Sequence, residues 1–505
     1  MKAFLMHRDA DFDTRRELPA NEAALIQDLE LQTLLNAMAA GDSLLWDVAK
    51  RALLLGLTDP EAVTYRQEIL SDCLAAPEMI RDLYALAGEA LQAERKVWSG
   101  LGRDQPRTLL RTAVQKMEVL VAYLRRLRTL AGEQAPNVSS PGLSRLFEML
   151  IAELDDDYFA LIDGYLSELN FKGGLLVSAQ LAAGNRGTGY TLRRAREQGF
   201  LERLLDRSGY SFTLADRDEA GARALGELED RGVNAVANAL SQSRDHVASF
   251  FIMLRTELAF YVACLNLSDR LVAKQEPTTL PSVLPSDRMA LSARGLYDVC
   301  LSLTVEDRIV ANDVDADDKS LVMITGANQG GKSTFLRSVG LAQLMAQAGM
   351  FVAADALTVN ACDGMFTHYK REEDDTMESG KLDEELARMS DIADHIRPRC
   401  VLLCNESFAA TNEREGSEIA RHVLDALLAE NIKVLFVTHM FDLAHSFYRQ
   451  RLQTALFLRA ERGKAGARPF RLSEGEPLPT SYGEDSYRKI FGTPVGSPQA
   501  AVTDT

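Results

Sequence analysis

The stretch Gly326-Ala-Asn-Gln-Gly-Gly-Lys-Ser333 constrains this 505-residue chain more than any other. An apolar run of strand character, Leu321 to Thr325, precedes it, and a segment with helical spacing of apolar residues follows from about Lys332. A chain that passes from strand to helix through glycines curls tightly, so its N–H groups converge where the helix presents its positive end. Such a turn cradles phosphate. The pattern GxxxxGK[ST] adds a lysine that reaches the β- and γ-phosphates and a hydroxyl that ligates Mg²⁺, here Lys332 and Ser333. The spacing therefore predicts a site for ATP with Mg²⁺ built from Gly326, Ala327, Asn328, Gln329, Gly330, Gly331, Lys332, Ser333 and Thr334. The alternative is a glycine-rich turn with a purely structural role.

Apolar strand-like runs and amphipathic helices alternate around this loop. Val401 to Cys404 follows a helix from about Leu382 to Ile396, and Val434 to Thr438 follows a helix from about Glu413 to Ala429. This βαβα order predicts an α/β domain with a mostly parallel sheet covered by helices. Both later strands end in residues suited to phosphate chemistry. Glu406, just past Val401–Asn405, stands where a general base would polarise an attacking water. Asn405 occupies the place where an Asp would hold the metal-bound water, so Ser333, Asn405 and Glu406 form the expected metal set with one negative charge fewer than usual. His439 closes the Val434 run and is positioned to donate to a γ-phosphate. The plainer readings are a surface glutamate at a strand end and a structural histidine.

From about residue 20 to 270 the chain reads as helix after helix. Leu29, Leu31, Leu34, Leu35 and Met38 recur at helical spacing, as do Leu109, Leu110, Val114, Met117, Leu120, Val121 and Leu124, and Ser243 to Val272 repeats the pattern. Gly173 to Thr191, with five glycines around Leu175-Leu-Val177, fits a hairpin or a loop instead. Three prolines in Glu276 to Asp287 suggest a boundary, giving a mainly helical domain over 1–277 and an α/β domain over 278–505. The net charge of -17 argues against coating nucleic acid by bulk electrostatics, although a basic groove on an acidic body remains open. The six cysteines have neither ligand nor disulfide-framework spacing and read as buried thiols. Charges interrupt the N-terminus every few residues, and Arg255 and Glu257 interrupt the most apolar helix, so a cytoplasmic protein with no membrane span is expected.

These motifs together resemble the ATPase domain of the MutS DNA-mismatch-repair family. TGANQGGKST (Thr325 to Thr334) is similar to the family's phosphate loop, and Val310-Ala-Asn312-Asp313 resembles the segment that enters its ATPase core. Phe366-Thr367 through Asp375 to Glu378-Ser379 resembles the segment carrying the signature serine, which places that serine at Ser379. Asn405-Glu406 with Thr411-Asn412 looks like the Walker B strand and dimer-contact loop, and Phe436 to Leu443 is similar to the segment carrying a switch histidine, His439. Ser481-Tyr-Gly483 and Gly492-Thr-Pro494 look like the end of the domain. Leu44-Leu-Trp46, Asp59-Pro60 and Arg66-Gln-Glu68 resemble the start of the family's core domain.

The resemblance implies an ABC/MutS-like ATPase domain preceded by a helical core and lever domain, working as a homodimer in which Ser379 reaches the partner's ATP. It implies catalytic roles for Lys332, Glu406, His439 and Ser379, and DNA held by the levers as a nucleotide-gated clamp. No mismatch-reading domain with a Phe-x-Glu wedge and no nuclease-like C-terminal domain is expected. Candidate DNA contacts are Arg125, Arg126 and Arg128, and Arg193, Arg194 and Arg196, each cluster otherwise a solvated face. Asn405 keeps open a switch that hydrolyses slowly, and the acidic balance keeps open a scaffold for a protein or ribosomal partner.

Overall fold

In the computed structural model, which describes residues 1–97, 106–171, 174–184, 186–194, 213–215, 217–371, 380–461 and 469–479, a single helix runs from Glu219 to Ala273. It passes through the division between two compact units. The first comprises Met1–Phe12 and Asp72–Ala259, the second Asp13–Ser71 and Phe260–Thr505.

Among the described residues, the regular elements of the first unit are helices and one hairpin. Helices Pro77–Lys96 and Pro141–Glu153 each begin on a proline, whose fixed φ suits the first turn and whose missing N–H is no loss there. Asp155 caps Asp156–Leu169 by accepting the Tyr158 N–H at 2.7 Å. Helix Pro106–Gln134 buries Leu110, Val114, Met117, Leu120, Val121 and Leu124, the face its spacing predicts. The glycine-rich stretch forms an antiparallel hairpin of β1 (Leu176–Ala182) and β2 (Arg186–Arg193), with most side chains exposed. The most apolar part of Glu219–Ala273 is long and apolar enough to cross a membrane by length and composition, yet 72% of that window is buried inside the fold, as in a core helix.

Within this unit the N-terminal segment is held by a carboxylate. Glu257 is fully buried and accepts the backbone N–H groups of Leu5 at 2.6 Å and Phe12 at 3.0 Å, while Arg145 donates to the carbonyls of Phe4 and Arg8. Burial outweighs these hydrogen bonds and pushes the Glu257 carboxyl from 4.5 up to about 7.

The second unit contains the remaining strands: β3 (Ser282–Leu284), β4 (Leu291–Leu296), β5 (Asn312–Asp315), β6 (Leu321–Thr325), β7 (Ala356–Asn360), β8 (Met365–Tyr369), β9 (Val401–Asn405), β10 (Lys433–Val437), β11 (Ala455–Ala460) and β12 (Leu472–Glu474). Six form a sheet in the order β12-β11-β6-β10-β9-β8, parallel throughout except for the β11–β12 pair. β6 and β10 are buried along their whole length, which is why they read as unbroken apolar runs. A second sheet, β3-β7-β4-β5, is mixed and was not expected from the sequence.

The compact units divide the chain differently from the expected boundary near residue 277. Residues 13–71 lie with the sheet and not with the helical unit, because buried polar groups fasten them to it. Asn21 Nδ2 donates to the Met365 carbonyl at 2.7 Å, and the Leu57 N–H donates to Gln347 O at 2.7 Å while Gln347 Nε2 donates to Leu57 O at 3.0 Å. Buried Arg66 donates to the Ala348 carbonyl at 3.1 Å, and Arg337 bridges Asp298 and Glu30. The proline-rich segment also falls within this unit, since Ser282–Leu284 pairs with β7. All six cysteines are buried free thiols.

The folded-state value of Glu257 lies above its unfolded value, so the folded chain holds the extra proton between the two and its stability declines as pH rises from about 4.5 to about 7. Urea unfolding of the whole chain at pH 5 and pH 8 checks this. Glu257→Gln, which carries no titrating proton, is expected to flatten the decline.

Candidate active site

The site is assembled by strand register. β10 lies between β6 and β9, and Val437 is level with both Ile324 of β6 and Asn405 of β9. Three parallel strands therefore stop together, and their C-terminal ends form one edge where the loops that follow converge. Crevices at such edges are the usual ligand sites of parallel sheets.

The phosphate loop leaves β6 at Thr325. Gly326 has φ +111°, and a Cβ there would stand 2.9 Å from the Ala460 backbone nitrogen, so both conformation and the close approach of β11 require glycine. Gly331 has φ +89° and serves as the N-cap of helix Lys332–Gln347. Gln329, at φ +57°, holds a left-handed conformation that is uncommon for a residue with a side chain. Lys332 opens the helix and its ammonium folds back over the loop, donating to the carbonyls of Gly326 and Ala327 at 3.0 Å each. It is only 5% exposed, so the loop holds a buried positive charge against its own carbonyls.

Ser333, the next residue, donates its hydroxyl to Asn405 Oδ1 at 2.9 Å, across the end of β10. The amide oxygen thus takes the hydrogen bond that a carboxylate would take, without the carboxylate's charge. The Asn405 carbonyl accepts the Lys370 N–H at 2.9 Å. Glu406 turns out of the strand at φ +55°, with its N–H donated to Val437 O at 2.9 Å, and its carboxylate lies 4.0 Å from His439 Nδ1. Thr438 fixes the turn before His439, its N–H donating to Ile324 O at 3.0 Å and its hydroxyl accepting the Met440 N–H at 3.0 Å.

These groups surround a cleft of about 440 Å³ lined by Asn328 to Thr334, Lys370, Glu406 and His439. The structure thus brings together Lys332, Ser333, Asn405, Glu406 and His439, five residues singled out from three separate segments of the sequence. Ser379 lies outside the described residues, as do Arg196, Glu372 to Glu378 and the Ser481 and Gly492 motifs. Asn412 caps helix Glu413–Ala429 by accepting the Glu415 N–H at 3.0 Å.

Among the described residues no group of three or more His, Cys, Asp or Glu side chains is arranged to hold a metal ion. A cation here would rely on Ser333, the Asn405 amide oxygen and Glu406, together with phosphate oxygens and water, a hard-oxygen set that suits Mg²⁺. The glycine cradle and Lys332 fit the phosphates themselves.

Sequence reasoning missed three contributors. Lys370 lines the cleft because β8 ends at Tyr369 on the same edge; the period of that short strand was the available signal. His368 and Ser407 lie behind Glu406, and both are fully buried. Burial, and then the charge of Arg388, push the His368 imidazole down to about 4, so at neutral pH it is uncharged and its Nε2–H donates to the Glu385 carbonyl at 3.0 Å. No sequence signal marked either. The described arginines among the candidate DNA contacts have partners within the chain: Arg125 pairs with Asp163, Arg126 with Glu89, Arg128 with Asp156 and Arg194 with Glu168, while Arg193 donates to Ser178.

Comparison with known proteins bears on the same segments. Residues 58–274 match a family described as the MutS2 N-terminal domain, and residues 322–483, which include the loop from Val322 onward, Asn405, Glu406 and His439, match MutS domain V. MutS protein homolog 4 of Mus musculus is 26% identical over 245 residues, covering 47% of this chain and 25% of that protein. The DNA mismatch repair protein MutS of Clostridium kluyveri is 28% identical over 245 residues, covering 46% of this chain and 28% of the relative. That of a Synechococcus species is 26% identical over 499 residues, covering 86% of this chain and 52% of the relative. The chain thus spans between about a quarter and about half the length of these relatives. Two matches to MutS domain models, one over the helical region and one over the cleft, carry the assignment: the chain belongs to the MutS family.

Proposed function

We propose that this chain binds and hydrolyses ATP at the edge formed by β6, β10 and β9, and uses the nucleotide to open and close a dimeric clamp on DNA of mismatched or otherwise unusual structure. The observation that carries the first part is the convergence of Lys332, Ser333, Glu406 and His439 on one cleft, with Asn405 bonded to Ser333. In this reading the loop N–H groups take the phosphates, and the Lys332 ammonium exchanges its carbonyl partners for phosphate oxygens. Glu406 orients and polarises a water for attack on the γ-phosphorus, the bond to the bridging oxygen breaks and ADP leaves. His439, across the cleft, donates to the γ-phosphate. Ser333, with the Asn405 amide oxygen and Glu406, would hold a bound Mg²⁺, which would supply charge neutralisation at the phosphates. Homodimer formation, a Ser379 contribution in trans and a cytoplasmic location belong to the same proposal. The family membership supports the clamp; the local charge pattern does not add to that support, since the described arginine clusters are paired.

A second reading rests on Asn405. An amide where the metal-bound water expects a carboxylate weakens cation retention, so the chain could act as a nucleotide-gated switch or scaffold with slow turnover, on a protein or ribosomal partner.

Steady-state hydrolysis by the purified chain, with plain, mismatched and branched duplex DNA added in turn, tests the proposal. Glu406→Gln is expected to lower kcat by about 10²–10⁴-fold, the usual contribution of a general base, while ATP binding persists. Lys332→Ala is expected to abolish ATP binding. Hydrolysis that survives Glu406→Gln contradicts the assignment. Stimulation by DNA should weaken steeply with added salt, because phosphate contacts release counterions. Asn405→Asp separates the two readings: the switch reading expects kcat to rise by at least about tenfold, equivalent to about 1.4 kcal/mol of barrier, and an unchanged rate removes its basis.

A further inference from the structure

The turn that carries Glu406 is held in an unfavourable shape. Glu406 has φ +55° and, two residues on, Phe408 has φ +62°. Left-handed backbone costs about 1–2 kcal/mol for a residue with a side chain, so it persists only where the surroundings over-determine it. Here the fixing contacts come from behind the cleft. The Ser407 hydroxyl lies 2.7 Å from both the carbonyl oxygen and Nδ1 of His368; with Nε2–H on Glu385 both are acceptors, so the single O–H proton is shared between backbone and ring of the same residue. The far side of that ring, Nε2, is 3.0 Å from the Glu385 carbonyl, on helix Lys381–His395. The His368 ring stacks on Phe408 with centroids 5.4 Å apart. His368 and Ser407 are fully buried and Glu385 nearly so, so solvent does not compete for these bonds.

None of the residues of helix Lys381–His395 lines the cleft. It nevertheless reaches the Glu406 turn through His368, which is hydrogen-bonded to Ser407 and stacked on Phe408. We propose that His368 and Ser407 are positioning residues for Glu406: the Glu385–His368–Ser407 chain ties the turn to helix Lys381–His395, so that the aim of the carboxylate follows the placement of that helix. The inference rests on Glu406 acting as the base. Neither residue touches the substrate; each acts through the backbone on either side of the carboxylate. Any event that displaces the helix is thereby read out as a change in the rate of the chemical step, with the phosphate cradle untouched.

The test uses the full chain with Ser407→Ala, which removes the hydroxyl, and His368→Phe, which keeps the stacking on Phe408 and removes both hydrogen bonds. Each is expected to lower kcat by about 10- to 100-fold, the range that an ångström of misplacement costs. KM and the melting temperature should stay near the parent's. In a Glu406→Gln background, with no carboxylate to aim, Ser407→Ala should change the residual rate by less than about twofold. The proposal is overturned if both variants keep kcat within about twofold of the parent, or if Ser407→Ala costs the same factor with and without Glu406. Hydrolysis that survives Glu406→Gln instead overturns the reading of Glu406 itself, whatever the Ser407 variant does.

Discussion

The hydrogen bond from Ser333 Oγ to Asn405 Oδ1 is where the two halves of the cleft meet. Ser333 sits in the first turn of the helix that follows the phosphate loop, and Asn405 ends a strand two positions away in the sheet, with β10 between them. The bond can form only because the parallel register brings β6, β10 and β9 to a stop at one level. A slip of one residue would turn alternate side chains of a strand to the other face and carry Asn405 away from the serine. Lys332, Glu406 and His439 inherit their places from the same register. The charge at this bond matters as well: the donor and acceptor are both neutral, so the cradle presents its positive charge through Lys332 without the carboxylate that would offset it beside a metal.

The parts of the site that were legible in the sequence are those whose chemistry is local. A phosphate loop is a contiguous run, and Glu406 and His439 each terminate an unbroken apolar strand that is unbroken because the strand is buried. Helix Glu413–Ala429 and the hairpin could be read for the same reason, from spacing and glycine content. Strand order is not local. Nothing in Val434 to Val437 says that it inserts between β6 and β9. The second sheet escaped notice because its strands run from three to six residues, too short for a period to declare itself.

Membership of residues 13–71 in the second unit was also hidden, since it depends on side-chain amides and carbonyls meeting across hundreds of positions. Asn21 with Met365 and Gln347 with Leu57 are such pairs. His368 and Ser407 belong to this class too. In sequence they are an unremarkable histidine in a strand and a serine after a glutamate; only their meeting gives them a role. The arginine clusters teach the converse, because their partners Asp163, Glu89 and Asp156 lie far away in sequence, so a basic run read alone overstated the free charge. With a net charge of -17 on the chain, any DNA contact has to come from a local grouping of cations rather than from the whole surface.

The central claim is that ATP enters the cleft at the strand edge and that Lys332 changes partners to meet it. A crystal structure of Glu406→Gln with Mg²⁺ and ATP tests it directly. The expected result is the triphosphate along Gly326 to Ser333, the Lys332 ammonium released from the Gly326 and Ala327 carbonyls onto phosphate oxygens, and the substituted side chain facing the γ-phosphate. A nucleotide bound elsewhere, or Lys332 still on its carbonyls with phosphate in the loop, would contradict it.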